Sequence, residues 1–220
     1  MIQLKNVVKK YTGSDYETIA LNNVTIEISD GEMVAIVGKS GSGKTTLLNI
    51  IGCMDRLSSG EYIYNGEKIH TYNKDKFNLF RKEHISFVFQ HFALMNQYTV
   101  YENIEMPLIA KGVSKKERKI KVEDILERFE LTEIKYKYPD NISGGQRQRT
   151  AIARAVVSGN ELILADEPTG ALDRNTGNKI MDYLKKINKD GKTLIIVTHD
   201  DNIASRCDRV IRIEDGRILD

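Results

Sequence analysis

The stretch MVAIVGKSGSGKTTLLNII, residues 33–51, decides the fold. Five consecutive apolar residues read as a strand covered on both faces, a glycine-rich turn follows without a break, and TLLNII continues as an apolar helix. Inside it, GKSGSGKT satisfies G-x-x-x-x-G-K-[ST] from Gly38 to Thr45, in the strand, turn and helix setting that a phosphate-binding P-loop needs. The residue types supply the chemistry. The cradle of Gly38, Lys39, Ser40, Gly41, Ser42 and Gly43 lets backbone N–H groups wrap β- and γ-phosphates, and the helix N-terminus adds partial positive charge. Lys44 brings a full charge, Thr45 a hydroxyl for Mg2+, and Thr46 a donor for the α-phosphate.

Working outward, further apolar runs at ISFVF (85–89), LILA (162–165) and TLIIV (193–197) alternate with helical patterns. That alternation predicts an α/β domain, a P-loop NTPase with a mostly parallel central sheet flanked by helices. IQLKNVVKKY, VTIEIS and GEYIYNG are β-rich and predict an N-terminal antiparallel layer, while Asp215-Gly216 in the tail VIRIEDGRILD signals a hairpin. The region from about 90 to 160 is predominantly helical and is expected to form a subdomain inserted in the core. LILADE ends in two adjacent carboxylates, and strand alternation predicts that they face opposite ways and do different work. Asp166 is expected to hold the Mg2+ shell and Glu167 to polarise an attacking water.

Composition narrows the partners. Thirty-three Lys and Arg against 31 Asp and Glu leave a net charge of +2, too balanced for a nucleic-acid-binding surface. The basic run SKKERKIK begins with a capping-box pattern, Ser114-x-x-Glu117, and leads to Val122, Ile125, Leu126 and Phe129 at helical spacing, so it reads as the solvated face of a helix. No apolar run reaches the length of a bilayer span and the start lacks a secretory h-region, so a cytoplasmic location is expected. Cys53 and Cys207 stand apart without metal-ligand spacing and read as reduced packing residues.

One segment resists a purely local reading. NISGGQRQRTAIARA (141–155) is a helix whose entrance carries Gly144 and Gly145, which weaken the first turn by about 1 kcal/mol each relative to alanine. Ser143-x-x-Gln146 also fits a capping box. Taken with the other motifs, the segment gives a set that resembles the ATP-binding-cassette ATPases over essentially the whole chain. GKSGSGKTT is similar to their Walker A motif, FVFQ to the Q-loop, ISGGQ to the signature, LILADE to Walker B, ALD to the D-loop and VTHD to the switch histidine, in the family's order.

The resemblance implies two ATPs held in a head-to-tail dimer of two copies, each between the P-loop of one copy and the signature of the other. Ser143, Gly144, Gly145 and Gln146 would then face the γ-phosphate across the interface, where a side chain at either glycine would block approach. It also implies that Gln90 senses Mg2+ and the attacking water, that His199 hydrogen-bonds the γ-phosphate, and that Asp173 carries information between the sites. Tyr11 resembles the aromatic that stacks on adenine, with Tyr16 as a competitor for that place. Two departures stand out: Ile142 begins the signature where leucine is commonest, and Gly170 replaces the serine usual before the D-loop. Gly170, LLNIIGCMDRLSSGEYIYNG and FVFQHFALMNQYTVYENIEMPL are similar to the branch of macrolide-export, lipoprotein-release, cell-division and bacitracin-resistance ATPases.

That branch implies an ATPase that powers a membrane permease from the inner face of the cell membrane. The lack of a span in the sequence points to the separate-chain form, with Gln90 and the segment to about residue 110 receiving the permease. The leaning within the branch is towards resistance to antimicrobial peptides. Two other readings stay open here: an ATP-dependent clamp on a membrane partner without transport, and a P-loop small-molecule kinase, against which the ordered motif set argues.

Overall fold

Strand alternation divides the core in two. In the computed structural model, which describes residues 1–13 and 17–219, β3 (Met33–Val37), β6 (Ile85–Phe89), β7 (Leu162–Asp166), β8 (Thr193–Val197) and β9 (Arg209–Glu214) lie in one sheet. Its order is β10-β9-β3-β8-β7-β6, with β10 (Arg217–Leu219) antiparallel to β9 and the other neighbouring pairs parallel. Val34, Ile36, Leu162, Leu164, Ile195 and Val197 point into one apolar cluster, while Met33, Ile163, Ala165, Leu194 and Ile196 point into another. With both faces covered, every second residue is apolar on each side, hence the unbroken apolar runs.

The first face is covered by α1 (Lys44–Ile51), α2 (Lys74–His84) and a second, antiparallel sheet ordered β2-β1-β4-β5. Its strands are β1 (Ile2–Thr12), β2 (Glu17–Ile28), β4 (Ser59–Tyr64) and β5 (Glu67–Lys68), the expected N-terminal layer. The tail hairpin turns at Asp215 (φ 46°) and Gly216 (φ 73°), and Gly216 O accepts from Asn22 N of β2 at 2.8 Å, so the hairpin ties the two sheets together.

The second face is covered by α3 (Val100–Ala110), α4 (Lys115–Arg128), α5 (Gly144–Val157) and α6 (Arg174–Lys189). A one-turn helix, α7 (Asp201–Ala204), completes the chain's elements. The helical region from about 90 to 160 therefore shares its apolar core with the sheet: Val100, Ile104, Val122, Leu126 and Ile152 belong to the same cluster as Ile163 and Ile196. Among the described residues no helix is long and apolar enough to cross a membrane.

One local expectation is corrected. Ser114 caps α4 by accepting from Glu117 N at 3.4 Å, but Glu117 does not reach back; its carboxylate pairs with Lys121 one turn on, at 2.9 Å. A competing cation on the same helix face takes the second half of the box. Ser143 and Gln146, by contrast, form a complete reciprocal box at 2.9 and 3.3 Å.

Candidate nucleotide site

The turn between β3 and α1 is shaped by glycine. Gly41 (φ 79°) and Gly43 (φ 103°) take left-handed backbone that side chains rarely adopt, and a Cβ at Gly38 would meet Ile213 O at 2.2 Å. No side chain caps the start of α1, so its first N–H groups face the turn unclaimed by side chains. Lys44 Nζ donates to Gly38 O and Lys39 O at 2.8 Å each, folding the cation back over the loop. The Ser42 hydroxyl is buried with no protein partner. An unpaired lysine cation against carbonyls, bare helix N–H groups and an orphaned hydroxyl suit a polyphosphate.

Above the loop lies a cavity of about 640 Å3. It brings together Gly38 through Thr46, apart from Ser42, with Gln90, Asp166, Glu167 and His199. Asp166 closes β7; burial, then the neighbouring Glu167, push its carboxyl above the usual range, and Lys44 partly offsets them. A Mg2+ ion would find Thr45, Gln90 and Asp166 on this wall. Among the described residues no three His, Cys, Asp or Glu side chains gather into a metal cage, so phosphate oxygens and water would complete the shell.

Asp166 and Glu167 are not consecutive residues of one pleat and do not face opposite ways. β7 ends at Asp166, and Glu167 is already outside it in a left-handed turn (φ 46°), anchored by Glu167 N donating to Val197 O at 2.9 Å. The turn, rather than the pleat, sets the direction of Glu167, and both carboxylates line the one cavity. Glu167 Oε1 lies 2.6 Å from His199 Nδ1, and Oε2 accepts from Thr198 Oγ1 at 3.3 Å. An ionised carboxylate can only accept, so Nδ1 carries the proton and a neutral His199 keeps a lone pair on Nε2. His199 can therefore donate to a phosphate only as imidazolium or after letting Glu167 go.

Gln90 follows β6, and Gly170 lies against it: a Cβ there would sit 2.9 Å from Gln90 Nε2, the end of a flexible side chain that can give way. Just beyond, Phe92 (φ 62°) and Ala93 (φ 47°) are both left-handed, and Arg154 of α5 donates to their carbonyls at 3.0 and 2.7 Å. Arg154 escapes the motif reading; so does Gln148, fully buried on α5 with Nε2 donating to Pro168 O at 2.6 Å. A signal for Gln148 exists in the sequence, since Ala151, Ile152 and Ala155 otherwise fill its helix face, whereas Arg154 shares its face with Arg147 and Thr150 and carries none.

Ser143, Gly144, Gly145 and Gln146 line a different cavity, about 590 Å3, between α5 and α6, together with Asp173. Asp173 caps α6 by accepting from Asn175 N and Thr176 N at 3.0 and 3.1 Å; hydrogen bonds led by the Thr176 side chain hold its carboxyl below the usual range. Gly145 has a reason inside the single chain as well: its Cβ would lie 2.7 Å from the Thr176 methyl, whereas one at Gly144 would make ordinary contact with Leu172 at 3.4 Å. Tyr11 lies outside the cavity lining; its hydroxyl donates to Asp55 at 2.8 Å and Lys9 lies 4.7 Å over its ring. Tyr16, the competing aromatic, lies outside the described residues.

Comparison with known proteins agrees with this geometry. The family model described as ABC transporter matches residues 21–170. The chain belongs to the ABC transporter family. All of this ABC cassette aligns with the macrolide export ATP-binding/permease protein MacB of Escherichia coli K12 at 42% identity, and with that of Photorhabdus laumondii at 43%. It spans 34% of those relatives, about a third of their length. Among solved structures, the dimeric post-hydrolysis state of the ATP-binding cassette MJ0796 bound to ADP and Pi superposes with a TM-score of 0.92 at 44% identity, covering 100% of this cassette and 97% of that chain. The cbiO1 protein of Clostridium perfringens, described as part of an ABC transporter complex, gives 0.89 at 30% identity, covering 99% and 86%. The cassette is an ABC ATPase.

Proposed function

We propose that the cassette, residues 1–220 as one ATP-binding domain with a helical subdomain at about 90–160, binds two ATPs between two copies and hydrolyses them to drive a membrane permease. The observation that carries this reading is the separation of the two cavities. Lys44, Asp166 and Glu167 line one, while Ser143, Gly144 and Gly145 line the other, so the two halves of a closed reaction centre do not meet in one copy. A head-to-tail pair brings the signature of one copy over the cradle of the other, and the γ-phosphates then hold the pair together.

In that centre Lys44 leaves the loop carbonyls for the β- and γ-phosphates, a charge-assisted exchange of acceptors. The N–H groups of the loop and the bare start of the signature helix hold the terminal phosphate from two sides. Glu167 orients and deprotonates the water, with His199 and Thr198 fixing its carboxylate until the phosphate arrives. Mg2+ on Thr45, Gln90 and Asp166 would offset phosphate charge and help align the terminal group. Tyr11 is assigned to the adenine, held in place by Asp55, and Asp173 to the dimer interface.

For the whole protein we infer a role in export or resistance, handling an antimicrobial peptide, a lipoprotein or a macrolide, at the inner face of the membrane. Support comes from the likeness to the MacB proteins, whose names join an ATP-binding part to a permease. The test is phosphate release by the purified chain with Mg-ATP, paired with light scattering of Glu167→Gln. Free phosphate from wild type and an ATP-dependent dimer that cannot turn over are expected. A phosphorylated small-molecule acceptor, or a variant that stays monomeric with ATP, would overturn the reading.

A further inference from the structure

The turn that carries Glu167 is held from two sides. On one side β8 and its end supply Val197 O, Thr198 Oγ1 and His199 Nδ1. On the other, among the described residues, a single side chain reaches the turn's backbone from α5: Gln148, whose Nε2 donates to Pro168 O at 2.6 Å, one residue past the left-handed Glu167. Gln148 is fully buried, and its Oε1 has no protein partner. A methionine would fill the same space and remove the unpaired Oε1, but it would leave the buried Pro168 O without a donor, so what distinguishes the amide from an apolar filler is that one bond. What the amide adds is a directed bond to the residue after the water-polarising carboxylate.

Gln148 also stands on the helix that begins at Ser143. Five residues at about 1.5 Å each put it some 7.5 Å along the axis from the signature. The start of that helix addresses the nucleotide cradled by the other copy, while Gln148 grips the turn that serves this copy's own nucleotide. A rigid helix therefore connects the two sites of the dimer through one hydrogen bond.

We propose that Gln148 is a positioning residue for Glu167, passing the placement of the signature helix to the hydrolytic carboxylate. This rests on the reading of Glu167 given above. When the helix seats against the other copy's nucleotide, the bond to Pro168 O sets the left-handed turn so that Glu167 faces the water; without that seat the carboxylate rests on His199.

Two substitutions in the full chain test it. Gln148→Met removes the donor and the unpaired acceptor at nearly constant volume. The expected result is a kcat about tenfold lower, equivalent to about 1.4 kcal/mol on the barrier, with ATP affinity and KM within about twofold and a melting temperature within a few degrees of wild type, because removing the unpaired Oε1 offsets leaving Pro168 O without a donor. Gln148→Glu donates only when its buried carboxyl is protonated, so its kcat relative to wild type should rise as pH falls, a dependence that a space-filling residue would not produce. Should Gln148→Met fail to fold, the pH ratio of Gln148→Glu decides alone. Wild-type kcat in Gln148→Met, or a flat ratio in Gln148→Glu, would overturn the proposal. Glu167→Gln separates the causes: if it is inactive while the Gln148 variants are normal, only this inference falls; if it turns over normally, the role of Glu167 falls and this inference with it.

Discussion

Replacing Gly145 by alanine separates two reasons for the bare entrance of the signature helix. The added Cβ would lie 2.7 Å from the Thr176 methyl, closer than carbon atoms tolerate, and both groups sit on helices with little freedom to retreat. Overpacking of this kind costs about 1–3 kcal/mol, and the helix-propensity gain of alanine over glycine returns about 1 kcal/mol. The nucleotide-free protein should therefore lose about 1 kcal/mol, or about 2–4 °C in Tm for a chain of this size. Gly144→Ala meets only Leu172 at 3.4 Å and should instead gain up to about 1 kcal/mol. Adding Thr176→Ser removes the offending methyl while keeping the hydroxyl, and should restore most of what Gly145→Ala lost. Urea denaturation without ATP reads the single and double variants as a double-mutant cycle. With ATP, both glycine variants should fail to dimerise, Gly144→Ala despite its greater stability. A Gly145→Ala protein at least as stable as wild type, unaffected by Thr176→Ser, would refute the close approach of α5 to α6.

Other expectations follow from the same geometry. Asp166→Asn should stabilise the nucleotide-free protein at neutral pH and abolish Mg2+-dependent turnover. Folding raises the Asp166 pKa above its ordinary 3.8, so the folded state holds the proton more tightly and this group's contribution to stability is lost as pH rises through that shifted value; a pH series of melting curves, flatter in the variant, checks it. Lys44→Ala should weaken ATP binding by at least about tenfold, because a charge-assisted contact to phosphate is lost; calorimetry reads it directly. Arg154→Lys should lower turnover and raise protease cleavage near Phe92, since a single ammonium cannot bridge the Phe92 and Ala93 carbonyls as the guanidinium does. Burial pushes the Cys53 thiol up to about 12 and Cys207 up to about 11, so a thiol reagent at mildly alkaline pH should label neither until the chain is unfolded.

The P-loop, the apolar strands and the tail hairpin are legible because each depends on local rules: period, glycine placement and turn chemistry within a few residues. Gly38 to Thr46 apart from Ser42, with Asp166, Glu167 and His199, could be named from residue type and order, and the fold brings them to one cavity. Three features could not be read that way. Glu167 leaves its strand because Val197 O and the residues after β8 capture the turn, contacts about thirty residues apart in sequence. Gly145 is small because the Thr176 methyl stands against it. Gln148 and Arg154 carry no motif, and what their amide and guanidinium touch depends on loops brought in from elsewhere. Sequence alone determined which chemical groups this protein owns and the elements that bear them, since backbone propensity and side-chain type are local. Tertiary structure decided which groups restrain one another, because a hydrogen bond or a steric limit between distant segments exists only once packing has fixed their distance.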